Sequence, residues 1–314
     1  MEPLFLKGTF QEKIWGGSKL ETEFGYDIPS DKTGELWAIS AHKNGESTVK
    51  NGQYKGMKLS ELWDEHRELF GNEEGDVFPL LTKIIDAQDD LSVQVHPDDE
   101  YALEHEGELG KTECWYILSA EPGAQIIYGH HAETEEELAQ MIEDGEWDDL
   151  LRYVEVEAGD FFYLPSGSIH AITSGIMILE TQQSSDTTYR LYDYDRKDDD
   201  GNLRDLHIED SIAVSTVPHV DYESSPTKKN DEKSEGMEEL VSTEFFTVSK
   251  LSISNQVHFT QEAPYQLMSV IDGTGKLIIN EDQYEIEKGD HFILPNGINE
   301  FNLEGHLEII ASHT

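Results

Sequence analysis

The amino-acid sequence predicts a mainly β protein: twin jelly-roll domains with a few short helices. Three observations carry that expectation. Short runs rich in β-branched and aromatic residues, bounded by Gly, Pro and Asp turns, recur along most of the 314 residues. Helical periodicity is confined to three stretches. A pattern also repeats: GDFFYLPSGSIHAI (159–172) is echoed by GDHFILPNGINEFN (289–302), 130 residues later. Each copy reads as a Gly-Asp turn, a strand, a Pro-x-Gly turn and the next strand. Dense short strands with such turns build sandwiches and barrels.

The helices come first. LSELWDEHRELF (59–70) has apolar residues at 59, 62, 63, 69 and 70, with Ser60 as N-cap. PDDEYALEHEG (97–107) places Pro97 in a first turn and follows it with acids that suit the helix dipole. TEEELAQMIEDGEWDDLL (134–151) opens with the Thr134–Glu137 spacing of a capping box, and Gly145 divides it into two short helices. Strands are expected over 78–87, 90–96, 113–120, 124–129, 152–160, 160–165, 171–183 and 187–194. The run DYESSPTKKNDEKSEGMEE (221–239) is polar and reads as an exposed connection. It separates a catalytic unit, 1–220, from a C-terminal β unit, 240–314, without metal ligands. At the position of His170 in the first copy, the second carries Glu300, as expected of one working site and one structural copy.

Composition narrows the function. Lys and Arg total 22 against 66 Asp and Glu, a net charge of −44. Such a surface repels nucleic acid and anionic lipid over a Debye length of about 8 Å. No apolar stretch approaches the ~18 residues of a membrane span. The N-terminus lacks the basic start, apolar middle and cleavage site of a secretory signal. The single cysteine, Cys114, excludes a disulfide within the chain. A cytoplasmic protein is expected, monomeric or weakly homo-oligomeric, with a charge suited to high salt. An anionic substrate requires local basic residues to overcome the global field.

The candidate chemistry begins at LSVQVHP (91–97). Residues two apart on a strand share a face, so Ser92, Gln94 and His96 form a polar stripe opposite Val93 and Val95. Two more candidates join them: Glu113, opening ECWYILSA, and His170, after the Pro-x-Gly turn. Two imidazoles, a carboxylate and an amide oxygen suit zinc and are compatible with manganese or iron(II). Without cysteine, the set has the pattern of a catalytic site with an open position. His105, His130, His131 and His207 read as surface residues in acidic or loop contexts. In LETQQSSDTTYRLYDYDR (179–196), Glu180, Asp186 and Arg190 stand out, and Arg190 shares a strand face with Thr188, Tyr192 and Tyr194. An arginine on a polar face can grip phosphate bidentately or form a structural ion pair. Lys83, inside the apolar run FPLLTKIIDA, needs a partner or a function.

SVQVHP, KTECWY, GDFFYLPSGSIHAI and LETQQSSDTTYRLYDYDR, in that order, resemble the type I mannose-6-phosphate isomerases (phosphomannose isomerases) in their short bacterial form. IWGG (14–17) and GELWAIS (34–40) fit the same pattern. The resemblance implies a cupin-type fold and one Zn2+ per chain, held by Gln94, His96, Glu113 and His170. It implies interconversion of mannose 6-phosphate and fructose 6-phosphate through a cis-enediol(ate). Lys111, Asp186 and Arg190 then match catalytic positions, while Lys83, Ser92 and Glu180 are placed with the substrate. Two departures stand out: Thr112 replaces a frequent Pro, and Ile172 a frequent aromatic. The competing readings are an iron(II) oxygenase, a non-enzymatic sugar-binding protein and an isomerase of another phosphorylated aldose. Oxygen chemistry has no need of the Lys111–Asp186–Arg190 set.

Overall fold

Apolar and alternating runs of the first 192 residues pair into two facing antiparallel sheets. The computed structural model describes residues 1–198, 200–222 and 235–314. One sheet has six strands, in the order Phe161–Leu164, Glu113–Ala120, Ile176–Gln183, Leu80–Ala87, Thr33–Ile39, Thr9–Gly17. The other has five: Tyr189–Tyr192, Val93–Val95, His170–Ile172, Gln125–His130, Leu151–Glu155. Alternation sorts their side chains. Ile85, Trp115, Ile117 and Ile178 face the five-stranded sheet, where they meet Ile126, Tyr128 and Ile172. Their neighbours Ile84, Tyr116 and Leu179 point the other way, into a core shared with Phe246, Tyr265 and Ile293 of the C-terminal sheet. The six-stranded sheet is thus buried on both faces, which is why its strands read as nearly continuous apolar runs. On the outer face of the five-stranded sheet, Val93, Val95 and Leu191 pack with Leu138 and Ile142 of the helix Glu135–Asp144.

The C-terminal sheet has nine strands and is built around Gln266–Ile279 and Glu300–His313. The strand Leu4–Lys7, expected with the first 220 residues, pairs with His291–Leu294 and belongs to this sheet. Most of the expected connection, residues 223–234, lies outside the described residues, and the strand Gly236–Ser242 begins within its C-terminal end.

The repeat is structural. In both copies the aspartate carboxylate accepts a backbone N–H three residues earlier, Glu157 to Asp160 at 2.9 Å and Glu287 to Asp290 at 3.0 Å. In both, the Pro-x-Gly glycine is left-handed, with φ of 85° at Gly167 and 98° at Gly297. His170 is buried, whereas Glu300 is exposed.

Several expectations change. Ser60 does not cap its helix. Glu61 caps the N–H of Lys58 instead, and the Ser60 hydroxyl donates to Glu46. That helix runs Leu59–Glu65, followed by a 3-10 turn at Arg67–Phe70. Pro97 precedes its helix, which starts at Asp99 and is capped by Asp98. The strand expected over 171–183 breaks at Gly175, φ 84°, and its halves lie in different sheets. A register shift after Arg190 turns Tyr192 away from Thr188 and Arg190, and it stacks on Trp147. His130 is buried, with Nε2 toward the carbonyl of Thr216 at 3.0 Å.

Candidate active site

Strand register brings the polar residues together. On the five-stranded sheet, Gln94 lies between His170 on one neighbour and Arg190 on the other. On the six-stranded sheet, Glu180 lies between Trp115 and Lys83. Gln94 and Arg190 from the first row and Glu180, Trp115 and Lys83 from the second line one polar pocket, with Ser92, Lys111, Asp186 and Thr188 on its wall. Gly167 permits the turn into His170: a Cβ there would lie 2.5 Å from Thr216 Oγ1.

His96, Glu113 and His170 offer ligand atoms within 4.8 Å of one another, all buried. His170 Nε2 lies 3.3 Å from Glu113 Oε1, and His96 Nε2 3.5 Å from Glu113 Oε2. Backbone carbonyls set the tautomers. Nδ1 of His96 donates to Thr187 at 2.9 Å, and Nδ1 of His170 to Ser168 at 2.9 Å. Each Nε2 lone pair is thereby aimed at the shared space. Burial, reinforced by the charge of Lys111, pushes His96 well below the usual imidazole range and His170 down to about 4. Both rings are neutral at pH 7, as metal ligation requires. His170 Nε2 is buried without a hydrogen-bond partner among the described residues. This donor set fits a divalent cation.

The other expected residues surround it. Lys111 Nζ reaches Glu113 Oε2 at 2.6 Å and His96 Nε2 at 2.9 Å. Lys83 Nζ is 3.4 Å from Glu180 Oε1. Burial disfavours its charge, but Glu35 and Glu180 outweigh that and raise its pKa. Burial, followed by the charge of Glu113, pushes the Glu180 carboxyl up despite Lys111 and Lys83. Arg190 donates from Nε to Ser92 Oγ at 3.2 Å. Asp186 accepts from Asn44 at 2.8 Å, toward the exposed side.

Four residues here were not anticipated: Glu35, Trp115, Asn44 and Arg204. Trp115 Nε1 donates to both Glu113 Oε1 (3.0 Å) and Glu180 Oε2 (2.9 Å), tying the two carboxylates. Its place two residues after Glu113, on the same strand face, was the available signal. A larger and more apolar cavity, about 750 Å³, lies beside Phe10, Ile28 and His291, away from this cluster.

Residues 4–118 match the family model "Phosphomannose isomerase type I, catalytic domain", and residues 236–314 match "Mannose-6-phosphate isomerase, cupin domain". The expected mainly β fold and cupin domain are both found. A mannose-6-phosphate isomerase of Streptococcus mutans is 61% identical over 315 residues, covering 100% of this chain and 98% of its own. Mannose-6-phosphate isomerase ManA of Bacillus subtilis is 57% identical, with 99% of each chain covered. The crystal structure of a Bacillus subtilis mannose 6-phosphate isomerase superposes with a TM-score of 0.96 at 50% identity, covering 100% of both chains. A putative mannosephosphate isomerase of Archaeoglobus fulgidus, 22% identical, shares the fold at a TM-score of 0.79 over 99% of this chain and 98% of its own.

Proposed function

The chain belongs to the type I mannose-6-phosphate isomerase family, and from that premise we propose that it interconverts mannose 6-phosphate and fructose 6-phosphate through a cis-enediol(ate). One observation carries the reading. A buried His96–Glu113–His170 set lies behind Lys111, which contacts His96 and Glu113 and lines one pocket with Lys83 and Arg190, in a chain of net charge −44. Lys83 and Lys111 are paired with carboxylates, but Arg190 bonds to the uncharged Ser92 Oγ and Asp205 carbonyl, and such a cation against that background marks an anionic substrate.

His96, Glu113 and His170, with Gln94 beside them, would hold one Zn2+, which when bound supplies Lewis-acid polarisation of substrate oxygens. The isomerisation needs no outside oxidant: a proton leaves C2 and is returned to C1 while the carbonyl moves the other way. In this reading Lys111, whose Nζ contacts Glu113 and His96, carries that proton. Glu180, whose carboxyl is pushed up, can hold a proton beside Glu113, to which Trp115 ties it. Asp186, at the open side, assists ring opening. Arg190 faces the negative charge of the substrate. Two further parts of the reading are a structural C-terminal unit and a cytoplasmic setting.

The test is a coupled assay for mannose 6-phosphate isomerisation before and after chelation, with zinc added back. Activity is expected to vanish on chelation and return with zinc. A folded, zinc-loaded sample without turnover would reject the isomerase reading and favour an oxygenase or a sugar-binding protein.

A further inference from the structure

The pocket is electrically lopsided. Each of its lysines has a carboxylate partner: Lys13 with Glu35 at 3.4 Å, Lys83 with Glu180 at 3.4 Å, Lys111 with Glu113 at 2.6 Å. The arginine end differs. Among the described residues, Arg190 donates only to neutral oxygens, Ser92 Oγ at 3.2 Å and the carbonyl of Asp205 at 2.8 Å. Arg204, on the same wall, is gripped by Asp193 through Nε at 2.7 Å and Nη2 at 2.6 Å. The same carboxylate also holds Arg196 at 2.6 Å. Two guanidiniums are thus fixed on one aspartate, with Arg190 alongside. Nη1 of Arg204 has no hydrogen-bond partner among the described residues.

This arrangement is built in. The chain after Arg204 returns along the strand of Arg190, where His207 Nδ1 accepts the Arg190 N–H at 3.2 Å and the His207 N–H donates to the Arg190 carbonyl at 2.8 Å. Asp193 opens a tight turn whose next residues, Tyr194 and Asp195, are left-handed at φ 58° and 52°. Non-glycine residues in that region are costly, and they persist where the surroundings dictate them. Burial, and then repulsion from Arg204, holds the Arg190 guanidinium below its usual range. A dianion placed between the two guanidiniums, reached by the remaining N–H groups, relieves that repulsion.

We infer that Arg204, together with Arg190, binds the phosphate monoester of the substrate, with Asp193 as the residue that positions Arg204. This inference rests on the isomerase reading. It directs the sugar's phosphate end to the arginines and its reacting carbons toward His96, Glu113 and His170.

The test uses full-length Arg204→Gln and Arg204→Lys. Losing a charge-assisted hydrogen bond should raise KM for mannose 6-phosphate about 10- to 100-fold, with kcat changed by less than about 3-fold. The inhibition constant of inorganic phosphate should rise in step. Arg204→Lys should recover part of both, and Asp193→Asn should shift both in the direction of Arg204→Gln. Unchanged KM and phosphate inhibition would overturn the inference, as would a fall in kcat alone. Calorimetric titration of the wild type and Arg204→Lys with inorganic phosphate reads the site without turnover. Equal affinities would overturn it even if Arg204→Gln failed to fold. Phosphate binding that depends on Arg204, in a protein that turns nothing over, would leave the phosphate site standing and reject the reaction.

Discussion

Glu35 shows how a buried charge is stabilised beside a reaction centre. Burial alone would raise its pKa, but Lys13, Lys83 and a 2.7 Å hydrogen bond from Trp37 outweigh it and hold the carboxyl at about 2. The ordinary value is 4.5, so the charged form stabilises the fold by about 3 kcal/mol above that pH. A depressed acid loses this contribution as pH falls from 4.5 through its folded value. Glu35→Gln should therefore cost about 3 kcal/mol at pH 7 in urea unfolding, with the gap roughly halved at pH 3. A gap independent of pH would rule out this role. Glu35 was not legible in the sequence for a physical reason. Among 66 acidic residues one carboxylate has no contrast, whereas a lysine inside FPLLTKIIDA does. Scarcity likewise exposed Lys83, Lys111 and Arg190, while Arg204 was hidden in a loop with no periodicity to set its direction.

Among the elements, strands buried on one face were the most readable. SVQVHP alternates because Val93 and Val95 face a helix-lined core and Gln94 faces the pocket. The break at Gly175 was less readable, because both halves of AITSGIMILETQQ are apolar enough for one strand. Which sheet each half joins is decided by partners distant in sequence. The strand Leu4–Lys7 is the extreme case, since nothing local names its partner. Leu4 is buried, 2% exposed, in the core between the six-stranded and C-terminal sheets. Leu4→Ala should cost about 2–5 kcal/mol, read as a lower urea midpoint at unchanged slope. A change under about 0.5 kcal/mol would show that this strand does not fasten the two parts.

The whole molecule carries −44 on 314 residues. Its described surface includes paired acids, such as Glu108 with Lys43 at 2.8 Å, but with 22 basic residues in all, most acids have no cationic partner. Self-repulsion of this kind opposes compactness and is relieved by screening. Raising KCl from about 0.1 to about 2 M should raise the melting temperature by several degrees. Indifference to salt over that range would mean that the acidic surface costs the fold little.

The pairing of Leu4–Lys7 with His291–Leu294 also has a consequence for how the chain is made. One neighbour of this strand, Thr48–Val49, follows soon after it, but the other, His291–Leu294, is translated only about 280 residues later. At about 5–20 residues per second that wait is roughly 15–60 s. Throughout it the nascent chain carries an unpaired apolar edge, open to chaperones or to another copy's edge. The sandwich holding His96 and His170 can close early, while the C-terminal sheet takes in the strand Leu4–Lys7 only once His291–Leu294 has been made.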